Sequence, residues 1–128
     1  VQFYAVVGNN LQRRGQAATL TTIDPNTSRM AISPNSGFLF IKPQLSSVFA
    51  YPLNSDGSIG AQVGSGNTII GLHDIQVDPT SKFLIGGIKS GSVSTLATYK
   101  IREDGQLDDP LSLSTGLVKE CVSYPLFW

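Results

Sequence analysis

One seven-residue phrase occurs twice in this chain. Ser33-Pro34-Asn35-Ser36-Gly37-Phe38-Leu39 and Asp78-Pro79-Thr80-Ser81-Lys82-Phe83-Leu84 share the proline, the second serine and the Phe-Leu pair at an offset of 45 residues (34 against 79). Tyr51 and Tyr99 match at an offset of 48 (51 against 99), as do the Asp-Gly pairs Asp56-Gly57 and Asp104-Gly105. A fixed internal period constrains the fold more than any local propensity. Each repeat is one supersecondary unit that buries its apolar face only against a neighbouring unit.

Within the first unit, Met30-Ala31-Ile32 reads as a short strand and Ser33 to Gly37 as a tight turn built on proline and glycine. Phe38 to Ile41 is apolar throughout, as a strand covered on both faces should be. Lys42 to Ser46 then reads as a loop and Ser47 to Leu53 as a third strand. Asn54 to Gly57 carries the Asp-Gly hairpin signal before a weaker outer strand, Ser58 to Val63. The second unit, Leu72 to Ile101 with its sequel, repeats this order. Its inner strand is Ile75 to Val77, its longer loop Gly86 to Ser94, and its outer strand Gln106 to Ser112, interrupted by Pro110 as an edge strand allows.

Upstream, Gln2 to Val7 reads as a strand and Leu11 to Gln16 as a polar loop, followed by a strand over Ala17 to Ile23. Only nine residues separate Ile23 from Ile32, against 24 between Leu53 and Val77 (numbers 23 to 32 and 53 to 77), so this upstream unit is shortened. A four-stranded antiparallel unit of about 45 residues is the period of a β-propeller blade. The expected fold is all-β: antiparallel four-stranded propeller blades in an incomplete propeller. It comprises a shortened blade over 1–28, blades over 29–71 and 72–116, and a further blade start or divergent tail over 117–128.

Nine basic residues balance nine acidic ones, which removes the electrostatic case for nucleic acid or an anionic membrane. A lone cysteine, Cys121, has no internal disulfide partner, which fits a reducing, cytoplasmic setting. No apolar run reaches the ~20 residues that span a bilayer. A start at Val1, without methionine, reads as a cut.

In a propeller the first strand of each blade lines the channel, and the longer loops gather at one mouth, where binding groups collect. His73, Asp74, Lys42, Lys89, Arg13 and Arg14 are expected there. His73, just ahead of an inner strand, suits acid/base work because imidazole titrates near neutrality; an inter-blade histidine bonded to a backbone carbonyl is the alternative. Lys42 and Lys89 suit a carboxylate or phosphate as point charges, and Arg13 with Arg14 suits forked contacts, unless these are simply solvated side chains. Asp74 reads as a capping or turn-making residue, since neighbours on a strand face opposite sides. One histidine and one cysteine supply too few ligands for a metal. Gly64-Ser65-Gly66-Asn67 lacks the Gly-Lys-Ser/Thr and following helix of a phosphate loop.

The segment His73-Asp74-Ile75-Gln76-Val77-Asp78-Pro79-Thr80-Ser81-Lys82-Phe83-Leu84 resembles the blade opening H-x-V-x-x-D-P-T-G-K-F-L of lactonase-type seven-bladed propellers. That family includes fungal carboxymuconate cyclases and 6-phosphogluconolactonase-like proteins. The unit from Ile32 to Leu53 is similar to another of its blades, and the resemblance covers roughly 30–116. It implies a cofactor-free, metal-independent lactonase or cycloisomerase acting on a small carboxylated lactone or muconate, with His73 the residue that carries over. Two departures stand against it. Thr115-Gly116 is followed by Leu117-Val118-Lys119-Glu120-Cys121-Val122, not by the glycine-proline-arginine-histidine type segment that supplies an arginine in the family. Fewer than three blades are present against seven, so copies assemble as a homo-oligomer to close the ring, the chain is part of a larger one, or it is a degenerate product with a shortened first blade and a replaced tail. A non-catalytic propeller fragment, serving as an interaction or scaffold module, is the alternative function.

Overall fold

The computed structural model describes residues 3–14, 28–35, 37–44 and 47–113. Among them ten strands form three open antiparallel sheets, with no helix. β1 (Phe3–Val7) and β2 (Asn10–Arg14) make a two-stranded hairpin in which Val7 pairs with Asn10 around Gly8-Asn9. Gly8 supplies the positive φ, 61°, that such a two-residue reversal favours. Residues 11–14, expected as loop, are therefore strand. Leu11 and Gln12 are exposed, so pairing alone holds them, and no buried face marks them in the sequence.

The next two sheets are the two repeats. β3 (Arg29–Ile32), β4 (Phe38–Gln44), β5 (Ser47–Pro52) and β6 (Val63–Thr68) follow one another across the first. β7 (Leu72–Val77), β8 (Phe83–Ser90), β9 (Val93–Lys100) and β10 (Leu111–Leu113) do so in the second. The turns obey the repeat. Ser33 Oγ accepts the Phe38 amide at 2.8 Å. At the equivalent place Asp78 Oδ1 accepts the amides of Lys82 (2.9 Å) and Phe83 (2.7 Å), and its Oδ2 accepts that of Thr80 (3.0 Å). The two turns also touch, the Asn35 amide donating to Ser81 Oγ at 3.0 Å.

Three expectations shift. β4 continues through Lys42, which pairs with Arg29, so Lys42 is not in a loop. Residues 86–94 are strand on either side of a tight reversal at Gly91-Ser92, with Ser90 opposite Val93. The glycines there mark close packing rather than a loop: a Cβ on Gly86 would lie 2.6 Å from Leu72 Cδ1. The outer strands also sit later than their sequences suggest. Leu53 bridges Ile59 and Ile101 bridges Leu107 before β6 and β10 begin, and Gly64 to Asn67 lies within β6. The strand expected over 17–23 and the tail 117–128, with Cys121, lie outside the described residues.

Residues directly opposite on paired strands share a face. On one face of the first sheet lie Ala31, Phe40 and Ala50; on the other lie Met30, Ile41 and Phe49, with Ile32, Leu39 and Tyr51 beside them. The first of these faces packs on the second sheet. Phe40, Val48 and Ala50 form one buried cluster with Leu72, Ile75, Val77, Leu84, Ala97, Tyr99 and Leu107. Fully burying side chains of this size contributes about 1.5–3 kcal/mol each, so the seam between the sheets is the main source of stability. No helix of the described residues is long and apolar enough to cross a membrane.

Candidate functional site

The chemistry collects where β3 meets β7 along this seam. β7 is irregular at its head. Leu72 pairs with Ile88 and Asp74 with Gly87, so two steps on β7 match one on β8. That two-against-one count is a β-bulge, and the extra residue is His73. The bulge explains a break in alternation. Leu72 and Ile75 are three apart, yet both point into the cluster shared with the first sheet, whereas in a regular strand they would face opposite sides. His73 is half-buried there.

Beside it, Asp74 is buried and crosses the seam to Arg29, Oδ1 to Nε 3.8 Å. Its Oδ1 also accepts the Ile75 amide at 2.9 Å. Burial pushes the Asp74 carboxyl above its ordinary value. The Ile75 amide, then Arg29, then Lys42 pull it down without cancelling that rise. Arg29 is partly exposed and donates to the Ser28 carbonyl at 2.8 Å. Lys42, opposite Arg29 in the β3–β4 ladder, is wholly buried at 0% exposure. Two cations placed directly opposite repel, and Asp74 is the carboxylate whose charge acts on both. A buried charge of this kind needs such compensation.

The expected site residues therefore fall in three places. Lys42 joins Arg29 and Asp74 inside the seam. It belongs to the packing, beyond the reach of solvent, rather than to an open mouth. Lys89 is exposed near the end of β8, and its amide donates to the Gly71 carbonyl at 2.9 Å, which brings it to the same end of the sheet as His73. Arg13 and Arg14 lie in β2, opposite Tyr4 and Phe3, and Arg13 is exposed. Among the described residues no hydrogen bond or ion pair joins Arg13 to His73 or Lys89. Nor do the described residues hold a group of three His, Cys, Asp or Glu side chains arranged for a metal.

Read from the sequence, Asp74 is a capping or turn-making residue, and no local pattern marks Arg29. A signal existed: Arg29 and Asp74 stand at the same repeat offset of 45 (29 against 74), so opposite charges occupy equivalent places on adjoining inner strands. Compared with known proteins, the chain matches no family model, and no curated protein or solved structure is significantly similar to it.

Proposed function

We propose that the two four-stranded sheets are successive blades of a lactonase-type β-propeller. The head of β7 would take a small carboxylated lactone or muconate, with His73 as acid/base group. One observation carries this reading: the strand admits an additional residue, by means of a bulge, where the histidine stands. Bulges are over-represented beside active sites, where they re-aim a side chain. Exposed Lys89 at the same end of the sheet offers a cation for the substrate carboxylate, and the half-buried imidazole offers a proton carrier. The adjoining first strands β3 and β7 support the blade assignment, since neighbouring blades meet along their inner strands.

The test is turnover of aldonolactones and of carboxymuconate by the purified chain. Replacing a general acid or base lowers the rate by about 100-fold or more, so His73→Gln should lose at least that. A chain that turns over and keeps its full rate as His73→Gln would sink the assignment.

The second reading, a non-catalytic interaction or scaffold module, is favoured by the burial of Lys42 and the pairing of Asp74 with Arg29, which commit these charges to joining two sheets. Under it no lactone is turned over and His73→Gln is silent in every assay.

A further inference from the structure

In a regular strand the pleat fixes the side on which each residue stands, and a bulge lifts that rule for one residue. In β7 that residue is His73. Among the described residues no hydrogen bond or ion pair holds its imidazole. The direction of the ring is therefore set by packing and by the residues immediately before and after it.

The two flanks are anchored differently. Leu72 is wholly buried and sits against Gly86, where a Cβ would come within 2.6 Å of Leu72 Cδ1. That anchor lies inside the second sheet. On the other flank, Asp74 Oδ1 accepts the Ile75 amide at 2.9 Å and meets Arg29 Nε across the seam at 3.8 Å. β3 and β7 are each the last strand of their sheet, so this ion pair joins two strands that no ladder joins. The backbone after the bulge is thus tied to the first sheet. Lys42 also bears on the Asp74 charge but is wholly buried, whereas Arg29 is partly exposed and open to replacement.

We infer that Arg29, acting through Asp74, is a positioning residue for His73. The ion pair across the seam fixes the backbone that follows the bulge, and with it the direction of the imidazole. A displacement of β3 against β7 reaches the histidine through this one aspartate. The consequence for turnover rests on the proposed acid/base role of His73; the direction of the ring does not.

The chain has a single histidine, so its imidazole C–H protons are an unambiguous reporter in the NMR spectrum of the whole chain. Their nuclear Overhauser contacts give the direction of the ring. Arg29→Gln should change that set of contacts, Arg29→Lys should restore it, and Arg102→Gln, which breaks the exposed pair with Asp108, should leave it alone. Asp74→Asn should reproduce the Arg29→Gln pattern, and adding Arg29→Gln to it should change nothing further. If Asp74→Asn does not fold, the restoration by Arg29→Lys decides. Where lactone is turned over, Arg29→Gln should lower kcat about tenfold at an unchanged KM, as loss of alignment does. Contacts that stay the same in folded Arg29→Gln overturn the inference, even if His73→Gln abolishes turnover. Contacts that change in a chain without turnover uphold it and remove the acid/base role instead.

Discussion

The two four-stranded sheets have the same strand order and the same turns, yet they differ where they meet. Position 33 is serine in one and its counterpart 78 aspartate in the other; 29 is arginine against 74 aspartate; 42 is lysine against 87 glycine. The shared residues (the prolines, the Phe-Leu pairs, the tyrosines and the Asp-Gly turns) make a sheet. The unshared ones make two sheets fit each other. Repetition specifies the unit, and departure from repetition specifies the junction.

The widest separation should come from the equivalent pair Phe40 and Ile85. Phe40→Ala empties a fully buried site and should cost about 3–5 kcal/mol, while Ile85→Ala, half-exposed, should cost about 1 kcal/mol. Urea unfolding of the two variants decides it, and equal losses would mean the faces are not inequivalent.

Next come two aspartates on one stretch of chain. Asp74→Ala takes from Arg29 the carboxylate it meets across the seam and should cost about 3 kcal/mol. Asp78→Ala unties a turn closed by three backbone amides and the Thr80 hydroxyl, at about 2 kcal/mol.

Their pH signatures run in opposite directions. The folded-state value of Asp74 is raised, first by burial, so the folded chain holds that proton longer than the unfolded one. Its contribution to stability therefore falls as pH climbs from the ordinary 3.8 through the raised value. For Asp78, burial pushes the value upward, but Thr80 and the amides of Phe83, Thr80 and Lys82 outweigh it and the net shift is down. Its contribution is present above 3.8 and is lost as pH falls through the lowered value. Difference curves of stability against pH for Asp74→Asn and Asp78→Asn should slope oppositely between pH 3 and 5, or the two roles have been confused.

A smaller contrast separates a seam glycine from an outer one. Gly105 has φ +87°, and a Cβ there would lie 2.4 Å from Phe38 Cε1 of the other sheet. Gly91 has φ +62° with nothing within 4 Å. Gly105→Ala should cost about 2–3 kcal/mol and Gly91→Ala about 1 kcal/mol, the left-handed backbone alone. The smallest effect is expected at Ser81, whose φ is 62°. Ser81→Gly relieves that backbone but removes the acceptor of the Asn35 amide, for a net change within about 0.5 kcal/mol by thermal melting.

The architecture was legible because it repeats: the phrase at 33–39, found again at 78–84, placed the turns and the strands beside them. The all-β class followed from the same pattern. What escaped were residues whose character contradicts their surroundings. Lys42 reads as a loop residue because lysine is almost never wholly buried without compensation; the negative charge of Asp74 that acts on it comes from the other sheet, where no local pattern points to it. Gly86-Gly87 reads as a loop because glycine is usually punctuation, while Gly86 here makes room for Leu72. β2 has no alternating apolar face to announce it. His73 was placed ahead of the inner strand from its order in the chain, but the bulge that accommodates it depends on Leu72 and Ile75 facing the same neighbour, and a one-dimensional pattern does not record that.

The bulge has a consequence for how this strand tolerates insertion and loss. Without residue 73, Leu72 would adjoin Asp74 directly, and plain alternation would still turn Leu72, Ile75 and Val77 to one side. The ladder with β8 would close without slippage. Elsewhere in a sheet a one-residue deletion inverts every side chain beyond it. At this point the frame of the strand is the same with the residue or without it. The histidine thus occupies a slot that the scaffold can gain or give up, free to change with whatever meets the head of β7 while the two sheets stay in register.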